Sequence, residues 1–208
     1  AREIIDEIHY DPSFRGRVYI ETVAWDKPGS DSPMLATMTP QEAINEDLPM
    51  PSECDIVIVV FWSRMGTPFE YDGEAYQSGT HFELLNAVNS ERADTVIYRR
   101  TQDPQFKLKD PEYDEKIEQY RRVESFFESD FFYDDQRRIK RGYNRYETPD
   151  DFRRAFEIHL ATMVLDALQT VDSPGDNTIA SDPPDNDNIT TIQPVTWPED
   201  TSPFPGLR

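Results

Sequence analysis

One carboxylate, Glu83, stands where it could do chemistry, at the start of a predicted helix. The helical wheel puts Glu83 roughly opposite Leu84, Leu85 and Val88, so its side chain can face a cleft rather than the core. Thr80-His-Phe-Glu83 is also a capping box, in which Thr80 caps the helix and Glu83 accepts a hydrogen bond from the N-cap amide. Catalysis and capping are both open for Glu83, and the two roles do not exclude one another.

A second set of candidate residues follows the strongest predicted strand. Trp62, Ser63 and Arg64 come directly after this strand, and open α/β sheets bind ligands beyond the carboxyl ends of their strands. Arg64 could pair with a diphosphate, and Trp62 or Trp25 could stack on a ring. The alternative for both tryptophans is packing against the last helix. These four residues and Thr80 are the candidate nucleotide-binding residues.

The other reactive residue types predict no second centre. His9, His81 and His159 are far apart in the sequence and show no ligand spacing with Cys54, which argues against a metal site. Cys54 borders a β-branched run, so it is predicted to be a buried hydrophobic residue rather than a nucleophile. Gly66-Thr-Pro68 predicts a turn, because it lacks the spacing and the lysine of a phosphate-binding loop.

One basic cluster lies before the last predicted helix. It consists of Arg137, Arg138, Lys140, Arg141 and Arg145, with Tyr143 and Tyr146 interleaved. Asp134 and Asp135 adjoin it, and the chain as a whole is strongly acidic. The cluster is therefore interpreted as a solvated face or as a contact with an acidic partner surface.

The overall charge limits the classes of partner. The chain has 41 acidic and 21 basic residues and a formal net charge of −20, which repels phosphate backbones and anionic lipid. Neither nucleic acid nor a membrane surface is expected as a partner. The single cysteine allows no intramolecular disulfide, and no apolar run approaches the roughly 20 residues of a membrane helix. No signal peptide is recognised, and a cytoplasmic location is predicted.

The elements that must position these residues follow from hydrophobic patterning. Asp55–Phe61 is an unbroken apolar, β-branched run, typical of a strand covered on both faces in a parallel sheet. The other predicted elements are helix Arg2–His9, strand Arg17–Val23, a short helix Pro40–Glu46, a helix at about Thr80–Asn89, strand Thr95–Tyr98, and helices Tyr113–Glu128 and Thr148–Leu168. Alternating strands and helices predict a doubly wound α/β layer with a mostly parallel sheet.

The end of the chain differs from the rest in composition. Seven of the 17 prolines lie from residue 171 onward, together with seven acidic residues and few aliphatic ones. Such a stretch cannot bury enough surface to offset the entropy of ordering. We therefore expect an α/β domain over residues 1–170 and an acidic, proline-rich linker over residues 171–202, with residues 203–208 opening a following domain.

Two segments carry a resemblance to a known family. Ser52–Pro68, which contains Cys-Asp-Ile followed by Phe-Trp-Ser-Arg and Gly-Thr-Pro, and Ser78–Leu84, with Ser-Gly-Thr and Glu83, resemble the DUF4062 family of TIR-like domains. The similarity covers about residues 1–168. Ser202–Arg208 is similar to the phrase that opens many bacterial STAND-type NTPase domains.

The resemblance implies a flavodoxin-like, TIR-like sheet with helices on both faces. The first strand of the family and the loop after it would lie before Ala1, so this strand is expected to be missing from the chain. In TIR domains that cleave NAD, a glutamate early in a helix approaches the ribose, and Ser78–Leu84 is similar in placement. The resemblance thus implies Glu83 as the catalytic carboxylate, because loss of nicotinamide develops a positive charge that a nearby negative charge stabilises.

Two functions from different classes follow from the resemblance. The favoured hypothesis is a signalling or interaction module of a multidomain STAND NTPase, in antiphage defence or stress signalling. Its expected partners are its own C-terminal NTPase region and further copies on activation. The alternative is an effector that hydrolyses NAD once oligomerisation completes the site, with NAD as a substrate and no permanently bound cofactor. A nucleotide-binding sensor without turnover is a third hypothesis.

Overall fold

The computed structural model describes residues 1–8, 10–24, 48–90, 92–172, 191–192 and 194–195. The candidate binding residue Trp25, the histidine His9 and the predicted helix Pro40–Glu46 lie outside the described residues. So do most of the predicted linker and the predicted start of the next domain at residues 203–208.

The described residues contain four α-helices, all close to their predicted positions. They are α1 (Arg2–Ile8), α2 (Gly79–Ser90), α3 (Tyr113–Phe127) and α4 (Pro149–Asp172). Thr148 caps α4 as predicted, because its hydroxyl accepts a hydrogen bond from the amide of Asp151 at 3.2 Å. The Asp151 carboxylate in turn accepts from the amide of Thr148 at 3.0 Å, which satisfies two amides that the first helical turn leaves without intrahelical partners.

The strands form a small parallel sheet. In chain order they are β1 (Tyr19–Ile20), β2 (Ile56–Phe61), β3 (Phe69–Tyr71), β4 (Glu74–Tyr76), β5 (Asp94–Arg100), β6 (Asn144–Tyr146), β7 (Thr191–Ile192) and β8 (Pro194–Val195). The main sheet has the order β6-β5-β2-β8 with every pair parallel, and β1 pairs with β7, also in parallel. The predicted α/β class with a parallel sheet is confirmed.

The sheet separates two apolar cores, and alternate residues of β2 point to each. Ile56 and Ile58 pack with α1 and α4, whose buried residues include Ile5 and Phe156. On the other face of β2, Val57, Val59 and Phe61 pack with buried residues of α2 and α3, namely Leu84, Ala87, Val123, Phe126 and Phe127. Val57, Ile58 and Val59 are fully buried, which confirms that β2 is covered on both faces.

A short hairpin was not predicted. The stretch after β2 reads as a polar loop, yet β3 and β4 pair antiparallel within it. The turn uses Asp72 and Gly73, both with positive φ (52° and 78°), as two-residue hairpin turns require. Phe69 stacks on Tyr76 across the hairpin at 5.7 Å. Strands of three residues are too short to show the alternation on which sequence reading depends.

Two parts of the predicted linker region are described by the structure, and both are in regular elements. Helix α4 runs to Asp172, two residues past the predicted boundary. Residues 191–192 and 194–195 form β7 and β8, which pair with β1 and β2. Residues 173–190 lie outside the described residues, and the division into domain, linker and following domain stays a prediction.

Candidate functional site

The loop that follows β2 carries three of the candidate binding residues. Trp62 is half-buried, Ser63 is buried and Arg64 is exposed. They lie at the carboxyl end of the sheet, where β2, β5 and β6 end side by side. The predicted position at the carboxyl end of β2 is therefore confirmed, and the ligand that these residues would bind stays a prediction.

Trp62 is engaged by residues at the end of β5. The Arg100 guanidinium lies over the Trp62 ring at 3.9 Å from its centroid, and the indole N–H donates to the carbonyl oxygen of Gln102 at 2.9 Å. Arg100 also donates from Nε to the carbonyl oxygen of Glu147 at 3.0 Å. The Trp62 ring, a candidate for stacking on a nucleotide, thus already stacks on an arginine of the same chain.

Helix α3 holds the rest of this loop in place. The Gln119 side chain, 9% exposed, accepts from the amides of Met65 and Gly66 at 3.1 and 2.9 Å and donates to the carbonyl oxygen of Gly66 at 3.2 Å. Arg122 donates to that same carbonyl at 3.0 Å. Sequence reading missed Gln119 and Arg122. The signal for Gln119 was its position four residues before Val123, as a polar residue on an apolar helical face.

Gly66 brings the loop against the start of α2. Its φ of 106° is a left-handed conformation that favours glycine. A Cβ on Gly66 would lie 2.8 Å from the Cβ of Ser78. The predicted turn at Gly66–Pro68 is thus a close approach between two backbone segments, and the loop has little room to move.

The amino end of α2 is capped two residues earlier than predicted. The Ser78 hydroxyl accepts from the amide of His81 at 3.1 Å, and the helix begins at Gly79. The predicted cap at Thr80 is therefore wrong, because Thr80 already lies in the first turn. Ser78 and Thr80 are both good capping residues, and Ser78 takes the position because the helix begins directly after it.

Glu83 is buried, contrary to its predicted position facing a cleft. Its side chain is 2% exposed, and the Oε2 atom is inaccessible to solvent. Helix α2 is covered on two sides: the hairpin residues Phe69, Tyr71 and Tyr76 surround Phe82, and the sheet side holds Leu84 and Ala87. Glu83 lies one helical turn before Ala87, which is buried in the core on the sheet side, so its carboxylate is on a covered part of the helix.

Burial also sets the chemistry of the neighbouring titratable groups. Desolvation, with help from the charges of Asp55 and Glu53, raises the pKa of the Cys54 thiol to about 12. Cys54 is fully buried, so the prediction of a buried hydrophobic residue is confirmed. Burial lowers the pKa of His81, whose Nδ1 accepts from the amide of Gln77 at 3.3 Å. His81 is therefore mostly neutral at pH 7.

Three arginines of the basic cluster lie over nearby aromatic rings. Arg137 lies over Tyr133, Arg141 over Phe131 and Arg145 over Tyr143, each within 5.3 Å of the ring centroid. Arg138 pairs with Asp134 at 2.7 Å. The basic cluster is therefore largely on the surface, where Ile139, 74% exposed, lies next to Arg138 and Lys140 in the sequence.

In the part of the chain that the structure describes, no group of three or more His, Cys, Asp or Glu residues is arranged to hold a metal ion. Among those same residues, no helix combines the length and the apolar character needed to cross a membrane. Comparison of the chain with protein-family models, with curated proteins and with solved structures gives no match.

Proposed function

We propose that the chain is a TIR-like signalling and interaction module of a multidomain STAND NTPase, and that it does not hydrolyse NAD in the conformation described above. The observation that carries this proposal is the burial of Glu83, the one carboxylate that the sequence offers for catalysis. A carboxylate that stabilises a developing charge on ribose must touch the substrate. At 2% exposure Glu83 cannot do so without a rearrangement of its surroundings.

The contacts of the Trp62 side chain support the same proposal. One face of its ring is stacked by Arg100 and its N–H donates to Gln102, so part of the surface that it would offer to a nucleotide is already in use. A preformed ligand site presents its polar groups towards the ligand. Here the backbone of Met65 and Gly66 is hydrogen-bonded to Gln119 and Arg122 within the same domain.

The exposed basic cluster is the surface that we assign to partner binding. Arg137, Arg138, Lys140 and Arg145 are exposed, in a chain whose formal net charge is −20. The isolated exposed Ile139 adds an apolar contact at the centre of this surface. Charge complementarity speeds encounter and selects partners, and the acidic surface of further copies or of the NTPase region would fit such a site.

The finer fold assignment is part of this proposal. A parallel sheet with helices packed on both faces supports a flavodoxin-like, TIR-like arrangement. We propose a cytoplasmic location and a role in antiphage defence or stress signalling on the basis of the resemblance in Ser52–Pro68 and Ser78–Leu84, since a fold by itself does not fix a function.

The enzymatic alternative also has an observation in its favour. Burying a carboxylate costs free energy even where it finds hydrogen bonds, and buried titratable groups concentrate at functional sites. This alternative requires that assembly rearrange the surroundings of Glu83, so that a substrate reaches its carboxylate. NAD hydrolysis would then be a property of the assembled state alone.

The test compares wild type with Glu83→Gln and with the matched control Glu157→Gln, whose side chain is exposed on α4. Nicotinamide release from NAD is measured by chromatography over a concentration series in which sedimentation velocity records the association state. We expect no release from any of the three proteins at any association state. Release by wild type that falls roughly a hundredfold in Glu83→Gln, with Glu157→Gln unchanged and melting unaltered, would establish the enzyme instead.

A further inference from the structure

Two arginine side chains lie next to each other at the carboxyl end of the sheet. Arg99 in β5 and Arg145 in β6 are register partners in parallel strands, so both side chains leave the same face of the sheet. Phe61 of β2 is the register partner of Arg99 on its other side, and it belongs to the core that β2 shares with α2 and α3. Both arginines therefore lie on the α3 side of the sheet.

Aromatic rings of that core hold both guanidinium groups. Arg99 lies over the ring of Phe127 at 4.7 Å from its centroid, and Arg145 lies over the ring of Tyr143 at 5.3 Å. The two rings contact each other, with centroids 4.6 Å apart and an interplanar angle of 62°. Arg145 also donates to the Tyr143 hydroxyl at 2.9 Å. The two cations are thus placed on adjoining rings by the fold itself.

Neither arginine is neutralised by an acidic side chain. Among the described residues, neither guanidinium forms an ion pair, and that of Arg99 forms no hydrogen bond. The chain has 41 acidic and only 21 basic residues, so carboxylates to pair with are plentiful. Like charges on directly opposite residues destabilise a sheet. A bound anion would remove this repulsion.

Two carboxylates act on the same region without pairing with Arg99. Burial raises the pKa of Tyr120 on α3 most, Glu124 and Asp103 raise it further, and Arg99 lowers it. Neither carboxylate forms an ion pair with Arg99. They therefore weaken the attraction of Arg99 for an anion but leave its guanidinium available.

Two guanidinium groups side by side favour a phosphate group over a carboxylate. Each guanidinium presents a planar fork of N–H donors that matches the oxygens of either anion. A carboxylate has a single negative charge, which one fork satisfies. A phosphate monoester carries about −1.5 to −2 charges at pH 7 and has three strong acceptor oxygens, so both forks can bind it together. The carboxyl ends of parallel strands are also where open α/β sheets bind ligands.

We propose that Arg99 and Arg145 form a binding site for a phosphate group, carried by a small nucleotide or present as free inorganic phosphate. The net charge of −20 does not prevent this, because screening limits the reach of exposed charges to about 8 Å at physiological ionic strength. The inference goes beyond the proposed function, since it requires neither NAD hydrolysis nor association of copies.

Inorganic phosphate is the first probe of this site. The melting temperature of the full chain is measured in phosphate and in sodium chloride at the same pH and ionic strength, and calorimetric titration gives the Kd. We expect phosphate to raise the melting temperature above its value in chloride, because a ligand that binds the native state stabilises it. AMP, titrated in the same way, distinguishes the sources: tighter binding than inorganic phosphate indicates a nucleotide, and equal or weaker binding indicates free phosphate.

Substitutions of the two arginines locate the site. We expect Arg99→Gln and Arg145→Gln each to raise the Kd for phosphate roughly tenfold or more. Arg121→Gln is the matched control, because it removes the same charge from an exposed position of α3 and should leave the Kd unchanged. Arg99→Lys keeps the charge but loses the planar fork, so its Kd should lie between those of wild type and Arg99→Gln.

Equal melting temperatures in phosphate and chloride would overturn the proposal, as would the same phosphate affinity in wild type and both glutamine variants. An equal loss of affinity in Arg121→Gln would show that phosphate responds to net charge rather than to a site, and would also overturn it. If Arg99→Gln does not fold, Arg145→Gln decides, because its side chain is exposed. None of these readouts involves NAD or association, so the phosphate site and the proposed function can fail independently.

Discussion

Replacing Gln119 by leucine should loosen the loop that carries Trp62, Ser63 and Arg64. The Gln119 carboxamide is the acceptor for the amides of Met65 and Gly66. Leucine has similar volume but no acceptor, so both amides would lose their partner at a site where Gln119 is 9% exposed. A buried donor without an acceptor costs about 1–3 kcal/mol.

The expected loss is smaller than twice that cost, because Gly66 is half-buried and water can reach part of the loop. The carbonyl oxygen of Gly66 also keeps its bond from Arg122. We therefore expect Gln119→Leu to lower the free energy of unfolding by about 2–4 kcal/mol. For a domain of this size the melting temperature should fall by roughly 5–15 °C.

Urea unfolding followed by tryptophan fluorescence measures this change, with an unchanged m-value required for the comparison. Gln119→Glu is the informative control: it keeps the acceptor for both amides but cannot donate to Gly66, so it should lose less than Gln119→Leu. Gln136→Leu, on the exposed segment after Asp134, should be close to neutral. A loss below about 0.5 kcal/mol in Gln119→Leu would show that the loop is not held by this side chain.

Three further substitutions or measurements follow from burial and backbone geometry. Gly66→Ala should lower the free energy of unfolding in urea by about 1–3 kcal/mol, because the φ of Gly66 is positive and the new Cβ would lie 2.8 Å from the Cβ of Ser78. Gly142→Ala, with open space around the new Cβ, should be nearly neutral. Equal effects of the two substitutions would contradict the close approach. Val57→Asp should abolish cooperative unfolding, because a lone carboxylate in a strand covered on both faces costs several kcal/mol; a folded, soluble variant would place β2 at an exposed edge. The Cys54 thiol has a pKa of about 12 against 9.0 for an ordinary thiol, so the unfolded chain loses this proton first as pH rises. Stability should therefore fall between about pH 9 and 12, more steeply in wild type than in Cys54→Ala, and native protein should resist alkylation at pH 8.

The elements that the sequence predicts correctly have signals that are local. The apolar run of β2 and the periodic apolar residues of α3 and α4 are visible within windows of seven to twenty residues. The cap at Thr148 is similarly local, because an N-cap depends on residues three positions apart. Strand β6 was not predicted because its signal is not local. Asn144–Tyr146 is polar and only three residues long, and it becomes a strand by pairing with β5.

The sequence predicts where the candidate residues lie, but not which contacts they make or how deeply they are buried. That Trp62–Arg64 would lie at the carboxyl end of the sheet follows from any parallel α/β arrangement. That Trp62 would stack on Arg100, 38 residues later in the chain, depends on the pairing of β2 with β5 and on the direction in which each strand ends. The burial of Glu83 depends on how α2 packs in the folded domain, which the residues of the helix alone do not determine. Contacts between distant parts of the chain thus decide the stacking of Trp62 and the burial of Glu83, which local sequence patterns leave open.

The register of β2 limits how a signal could pass along it. Alternate residues of β2 enter different cores, so a slip of one residue would exchange every side chain between the two faces. Such a slip would also break the six-residue pairing with β5 and move the loop at Gly66 by about 3.3 Å, away from Gln119. Sliding is therefore too costly to serve as a switch.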